Sequence, residues 1–150
     1  MTRKNAREIA VRICFGLSAT NEDAEALLDR VFDEEYYASL AAEDELYAEY
    51  PDDKQAEYIR RLVGGVGVHS AELDEYVMKY ARGWQFARIS RTAVAIMKIA
   101  MFEILYMPEI PDGVAINEAV ELAKKYDEQE TVSFINGILG SFVKSETVAE

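Results

Sequence analysis

The sequence has little of the chemistry on which enzymes, metal sites and disulfide-linked folds depend. Its 150 residues include one cysteine and one histidine. A lone cysteine cannot form an internal disulfide, which is typical of a protein in a reducing compartment. A lone histidine excludes the paired Glu-x-x-His motifs of di-iron helical bundles and leaves a nucleophile such as Cys14 a single base to pair with. We therefore predict no catalytic residue, no metal and no cofactor, and we interpret Cys14 as a packed apolar residue.

Long apolar runs are also missing. The longest weakly charged run, 92–107, carries Lys98 and Glu103, and it is shorter than the roughly 20 apolar residues of a membrane-spanning helix. The first ten residues are polar and basic, without the apolar core of a signal peptide. These features predict a soluble, cytoplasmic protein with no membrane segment.

Negative charge is abundant but unevenly distributed. The formal net charge is −12, yet residues 1–20 carry +3, because four basic residues stand against Glu8. Residues 21–60 carry −11, from 14 acidic and three basic side chains, and residues 61–150 carry −4. The field of the acidic segment is screened beyond about 8 Å at physiological salt. A basic N-terminus is therefore compatible with a chain whose overall charge disfavours nucleic acid.

Apolar periodicity predicts helices throughout, beginning with one at residues 2–18. Its apolar stripe recurs at helical spacing and consists of Ala6, Ile9, Ala10, Ile13 and Leu17. At about 100° per residue, Arg3, Lys4 and Arg7 fall on an edge beside this stripe, whereas Arg12 lies well away from it. The first helix is predicted to combine an apolar face with an exposed basic edge.

The next segments continue the helical pattern. A second helix is predicted from an Asn21 cap to about Leu40, followed by a solvated acidic connection at 41–53 with room for a short helical turn. Residues 54–80 predict one bent helix or two helices joined near His69. We interpret the glycines at 64, 65 and 67 as sites of close helix packing.

The C-terminal half is dominated by the most apolar helix of the chain. Ser90 is its predicted cap and Pro108 its stop, and because it is hydrophobic nearly all round we expect it to be central. Further helices are predicted at 114–126 and from a Thr131 cap onward. The predicted fold is all-α, with six or seven helices in one domain of two small packed bundles, about 1–80 and 84–144.

Two local features each allow two interpretations. Trp84 and Phe86 follow a helix break, where aromatic side chains more often plug a core than form a stacking platform for bases. Asn117 and Asn136 lie on otherwise apolar helix faces, where amides more often tie helices together than contact a ligand. We favour the structural interpretation for both.

Six segments, spread over nearly the whole chain, carry motifs that periodicity does not explain. They are Arg3-Lys4-Asn5-Ala6-Arg7-Glu8, Leu62-Val63-Gly64-Gly65-Val66 with Leu73-Asp74, Trp84 with Arg88-Ile89-Ser90, the runs 96–104 and 114–124, and Phe134-Ile135-Asn136-Gly137-Ile138-Leu139. Together they resemble the NusB family of transcription antitermination factors. Of these motifs, the run 114–124 followed by Phe-x-Asn-Gly is specific to that family.

The resemblance implies two helical bundles and a role without catalysis. NusB proteins pair with NusE, a ribosomal small-subunit protein, to bind the boxA element of nascent RNA, especially from ribosomal RNA operons. The complex then joins RNA polymerase with other Nus factors. By matching position, the resemblance implies RNA contacts at Arg3, Lys4, Arg7, Lys124, Phe134 and Asn136. It also implies a NusE-facing side formed by Phe15 and by the helix that contains Lys98 and Glu103.

The sequence departs from the family in places and leaves other functions open. Asn5 dilutes the arginine-rich start, so RNA affinity is expected to depend strongly on NusE, and Ala93 and Lys98 replace the usual Glu and Arg. A related domain begins certain ribosomal RNA methyltransferases, but the sequence has no dinucleotide-type Gly-rich loop, which argues against that alternative. A third candidate function, an acidic adaptor that binds only proteins, accounts for the net negative charge but not for the basic edge of the first helix. Whether the free protein is a monomer or a homodimer is left open.

Overall fold

A computed structural model describes residues 1–85 and 88–147 as helices joined by short connections. Within these ranges the helices are α1 Arg3–Ser18, α2 Ala24–Val31, α3 Glu34–Ala41, α4 Asp53–Val68, α5 Ser70–Tyr80, α6 Arg91–Tyr106, α7 Asp112–Tyr126 and α8 Gln129–Glu146. A 3₁₀ turn, Glu45–Tyr47, lies between α3 and α4. The predicted all-α class is confirmed, but the described ranges hold eight α-helices, so the count of six or seven was wrong.

The additional helix arises because the predicted second helix is broken in two. The Asp23 carboxylate accepts a hydrogen bond from the Ala26 amide (3.1 Å) at the start of α2. The Asp33 carboxylate accepts one from the Tyr36 amide (3.0 Å) at the start of α3. Aspartate is favoured at these positions because it satisfies amides that the first helical turn leaves unpaired. Asn21 as the cap was therefore wrong, and apolar periodicity did not reveal the second start.

Three further helix starts can be compared with the predictions; two agree and one differs. The Ser90 hydroxyl accepts a hydrogen bond from the Ala93 amide (3.0 Å), so it caps α6 as predicted. Two helices meet at His69, the N-cap of α5, which was one of the two predicted arrangements. The last helix begins at Gln129 after Glu128, not at a Thr131 cap.

Two of the three glycines of α4 do not have the role that the sequence suggested. The helix runs without interruption to Val68, and no atom lies within 4 Å of where a Cβ would stand on Gly64 or Gly67. Close helix packing therefore does not require glycine at these two positions.

The chain divides into two compact units, Met1–Gly67 and Val68–Glu150. The sequence placed the division later, between bundles of about 1–80 and 84–144, because the helix break before Gly83 is visible in the residue pattern. The side-by-side packing of α5 with α6 and α8 is not visible there, and it makes α5 part of the second unit.

The first unit buries most of the predicted stripe of α1 and part of the acidic connection. Ala6, Ile9, Ala10 and Ile13 are buried, as predicted, and Cys14 is buried beside them.

The connection at 41–53 is less solvated than expected. It contains the predicted helical turn, but the turn buries Leu46. The Tyr37 hydroxyl donates to the Glu49 carbonyl (2.8 Å), and the rings of Tyr47 and Tyr50 meet the Tyr37 ring edge-on at 5.4 and 5.1 Å. Burial raises the pKa of Tyr37 to about 12.

The second unit is built around α6. This helix packs against α5, α7 and α8, which confirms the central position predicted from its apolar composition. Within residues 1–85 and 88–147, none of the helices combines the length and the apolar character needed to cross a bilayer. Phe86, considered with Trp84 as a core plug, lies outside the described residues.

Replacing Gly64 by alanine is expected to stabilise the protein. Alanine favours the helix by roughly 0.5–1 kcal/mol over glycine, and the space for its methyl group is open. Urea unfolding measures the difference. Gly83→Ala is the matched control, because Gly83 has a φ of 83°, where a side chain is strained and stability should fall. A loss of stability in Gly64→Ala would contradict this description of α4.

Candidate nucleic-acid interface

The N-terminal end of α1 carries the predicted basic edge, and an aromatic ring organises it. The Thr2 hydroxyl caps the helix by accepting a hydrogen bond from the Asn5 amide (3.0 Å). The guanidinium carbon of Arg3 lies 3.8 Å from the centre of the Tyr58 ring of α4, and that of Arg7 lies 5.8 Å from it. Stacking on an aromatic face orients a guanidinium while it keeps its charge.

Arg3 and Lys4 are accessible to an anion, whereas Arg7 is not. Lys4 is exposed and Arg3 is partly exposed, and no ion pair of Arg3 is found within the described ranges. Arg7 is only 4% exposed, so its predicted place on an exposed edge was wrong. One turn beyond Arg3, position 7 faces Tyr58, and its long side chain belongs to the packing. The basic edge therefore consists of Arg3 and Lys4.

Three other arginines of the first unit are neutralised by carboxylates. The pairs are Arg12 with Asp44 (2.7 Å) and Glu8 (3.5 Å), Arg60 with Asp29 (3.0 Å) and Glu25 (3.4 Å), and Arg30 with Glu22. The separation of Arg12 from the basic edge agrees with the prediction. Arg12 and Arg60 also lie over rings, those of Tyr47 (5.6 Å) and Phe32 (5.0 Å). Arg3 therefore differs from these arginines in having a ring but no carboxylate partner within the described ranges.

The predicted partner-facing residues fall in different environments. Phe15, on α1, is 41% exposed and accessible to a partner. Glu103 is fully buried in α6, so it does not reach a partner surface and that prediction was wrong. Lys98 is largely buried: its Nζ donates to Ser70 Oγ (2.7 Å) and lies 2.9 Å from Asp74 Oδ1. It therefore ties α6 to α5, because a helix surrounded by three others has little free surface.

Phe134 and Asn136 of the Phe-x-Asn-Gly motif do not form one contact surface. They are two positions apart on α8, so their side chains point about 160° apart around the helix. Phe134 is partly exposed and Asn136 is exposed. Asn117 is exposed as well, so the interpretation of these amides as ties between helices was wrong. One RNA base does not reach both Phe134 and Asn136.

Trp84 lies on the surface beside Phe134 instead of plugging the core. Its side chain is 45% exposed, and the two ring centres are 4.4 Å apart with planes tilted by 47°. The preferred core interpretation of Trp84 was therefore wrong. The structure brings Trp84 together with a predicted RNA-binding residue from the last helix.

Lys124 is exposed near the end of α7, where it pairs with Glu121 (2.9 Å), also on the surface. An exposed pair of this kind contributes little to stability and exchanges partners readily. Lys124 is therefore accessible to a phosphate, and its contact with RNA stays a prediction.

Sequence reasoning missed two groups of residues. Tyr58 was not singled out, because nothing along the chain shows that it faces Arg3 on another helix. The second group is Arg82, Arg88 and Arg91, which are exposed and lie near Trp84 in the sequence. A sequence signal could have identified this group, namely a long stretch without acidic residues. Residues 76–102 contain no Asp or Glu in a chain with 28 of them.

Arg7→Ala is expected to destabilise the protein by about 1–3 kcal/mol, because it removes a buried side chain and leaves its polar neighbours without their partner. Lys4→Ala, in the same helical turn and equally charged, should change stability by no more than about 0.5 kcal/mol. Urea unfolding of the two variants compares them. Equal stability of both variants and the unaltered chain would show that Arg7 is a surface residue after all.

Comparison with known proteins relates this chain to one family. A family model described as "NusB family" matches residues 4–144. Transcription antitermination protein NusB from Carboxydothermus hydrogenoformans is 39% identical over 93% of this chain and 91% of its own length.

Solved structures of similar fold agree. T. maritima NusB superposes with a TM-score of 0.79 and 27% identity, covering 97% of this chain and 92% of that one. A crystal structure of the antitermination factors NusB and NusE in complex with dsRNA has a TM-score of 0.74 over 95% of this chain and 96% of that one. At 20% identity, the second likeness is one of fold.

Proposed function

The chain belongs to the NusB family, and on that premise we propose that it acts as a transcription antitermination factor. It binds boxA RNA of nascent transcripts, above all those of ribosomal RNA operons, together with NusE. The complex joins the elongating RNA polymerase with other Nus factors. The role is one of binding, not of catalysis, and it is exercised in the cytoplasm.

The charge of Arg3, held over the Tyr58 ring, is the observation that carries the proposal. In a unit where Arg12, Arg30 and Arg60 are paired with carboxylates, Arg3 keeps a positive charge that a phosphate can neutralise. Lys4 adds a second, exposed charge in the same turn. Phosphate contacts of this kind supply affinity and fix the register of the RNA, while sequence is read elsewhere.

Lys124, Phe134 and Asn136 extend the proposed RNA contacts to the second unit. Lys124 and Asn136 are exposed, and a phosphate or a base edge can approach each of them separately. Phe134 offers an aromatic face for an unstacked base, which is the usual way in which single-stranded RNA is held. Arg7 takes part only by supporting the basic edge.

NusE is the second partner that the structure favours. Residues 21–60 carry −11, which attracts a basic ribosomal protein over distances comparable to the Debye length. Exposed Phe15 offers an apolar contact. A basic partner bound to this unit adds its positive charge to that of Arg3 and Lys4. The complex of the two proteins therefore binds RNA more tightly than either protein alone.

The alternative of a domain related to ribosomal RNA methyltransferases is not favoured. The C. hydrogenoformans relative is covered over 91% of its own length and carries the antitermination name.

The expected result of adding NusE is a marked gain in RNA affinity. Labelled boxA RNA is titrated into the chain at fixed moderate salt, with and without NusE, and its anisotropy is followed. Coupling of about 1–3 kcal/mol corresponds to roughly 5- to 150-fold tighter binding. By linkage, RNA must tighten NusE binding by the same factor, which provides an internal control. Equal RNA affinities in the two titrations would contradict cooperation and indicate a stand-alone RNA binder.

A further inference from the structure

The connection between α5 and α6 carries a positive surface that the family resemblance does not assign. Arg82, Arg88 and Arg91 are all exposed, and no ion pair of their side chains is found within residues 1–85 and 88–147. The lysines on either side behave differently, since Lys79 pairs with Glu146 (2.7 Å) and Lys98 with Asp74 (2.9 Å). Positive charge is therefore left unneutralised in this connection, in a protein of net charge −12.

Two backbone hydrogen bonds shape the described parts of this connection. The Trp84 amide donates to the Ala81 carbonyl (3.1 Å), and Gly83 between them has a φ of 83°. A positive φ at the third position of a four-residue turn favours glycine. The Arg88 amide donates to the Gln85 carbonyl (2.8 Å). Arg82 and Arg88 thus each belong to a hydrogen-bonded turn, and they stand two and four residues from Trp84 in the sequence.

Trp84 supplies the second, independent feature of this surface. Trp84 is 45% exposed and lies against the ring of partly exposed Phe134, so the surface carries an aromatic pair, which is more informative than a single exposed apolar side chain. Here Phe134 lies 4.4 Å away and supports one side of the indole. The support pre-orders the ring, so a base that stacks on its free side incurs a smaller loss of side-chain entropy.

We propose that Trp84, Arg82 and Arg88 form an RNA-binding subsite on the second unit, in which one unpaired base stacks on Trp84 and the two arginines neutralise the adjoining phosphates. Aromatic stacking combined with cationic contacts is the general way in which proteins hold single strands. The inference rests on the proposed function, because it concerns the same RNA. It adds residues that neither the Phe-x-Asn-Gly motif nor the start of α1 contains.

A nearby carboxylate defines where the phosphates lie. The Ser90 hydroxyl is 3.4 Å from Asp127 Oδ1 at the start of α6, and burial raises the pKa of Asp127. The residue that caps α6 therefore has a carboxyl group beside it, which disfavours a phosphate at this helix start, where Arg91 is the first residue. The phosphate contacts are assigned to Arg82 and Arg88, which precede Ser90 and stand on either side of Trp84 in the sequence.

The test measures affinity of labelled boxA RNA for the complex of this chain with NusE, across a salt series. Arg82→Gln with Arg88→Gln should weaken binding and flatten the plot of log affinity against log salt by about 1.4, at roughly 0.7 per phosphate contact. Arg30→Gln with Arg60→Gln is the matched control, because it removes the same charge from arginines already paired with carboxylates. The control should leave affinity and slope nearly unchanged.

The stacking contact is tested separately. Trp84→Leu should weaken RNA binding by about 5- to 150-fold, whereas Trp84→Phe, which keeps an aromatic face, should stay close to the unaltered protein. Trp84 is the only tryptophan of the chain, so RNA added to the chain alone at low salt should quench its emission. Circular dichroism checks that each variant is folded.

Four outcomes overturn the inference in distinguishable ways. Unaltered RNA affinity and slope in the arginine variant exclude the phosphate contacts. Equal affinities of Trp84→Leu and Trp84→Phe exclude stacking. Loss of NusE binding in the absence of RNA, with RNA affinity unchanged, indicates a protein-binding surface. No RNA binding by the unaltered complex refutes the proposed function itself, and the inference with it.

Discussion

The stacking of Arg3 on Tyr58 is the interaction on which the proposed RNA-binding role depends. Residues 21–60 place 14 acidic side chains in the same unit, and an arginine close to a carboxylate pairs with it, as Arg12, Arg30 and Arg60 do. A paired arginine has lost most of its attraction for phosphate. The quadrupole of an aromatic face holds a guanidinium without neutralising it. Tyr58 therefore allows a strongly acidic unit to present a usable positive charge.

The second unit also presents arginines that no carboxylate of the described residues neutralises. Within residues 1–85 and 88–147, no ion pair is found for Arg82, Arg88 or Arg91, while neighbouring Lys79 and Lys98 are tied to carboxylates. Trp84, between Arg82 and Arg88 in sequence, packs against Phe134. Each unit thus separates charges that stabilise its fold from charges left for a ligand. Because phosphate binding releases counterions, such surfaces act strongly at low salt and weaken as salt rises. Cooperation with a basic partner compensates for that weakness.

The sequence predicted the apolar faces of helices better than it predicted helix starts such as those of α2, α3 and α8, and it predicted contacts between helices poorly. The cap at Ser90, the apolar stripe of α1 and the central position of α6 follow from neighbouring residues and helical periodicity, so they were predicted. The burial of Arg7 and Glu103 depends on which helix lies opposite, and nothing in a helical wheel contains that information. Trp84 is the opposite case, a residue expected to be buried that lies on the surface. Its apolar character favoured the core, but its position in the connection before α6 leaves it on the surface against Phe134.

The central claim is that Tyr58 makes Arg3 available to RNA, and a double-mutant cycle tests it most directly. RNA affinity in the presence of NusE is measured for the unaltered chain, Arg3→Gln, Tyr58→Leu and the double variant, with Tyr58→Phe as the control that keeps the ring. The account predicts that Tyr58→Leu weakens binding about as much as Arg3→Gln, that the double variant is no worse than either, and that Tyr58→Phe binds nearly as the unaltered chain does. Independent, additive effects of the two substitutions, or full RNA affinity without the ring, would contradict it.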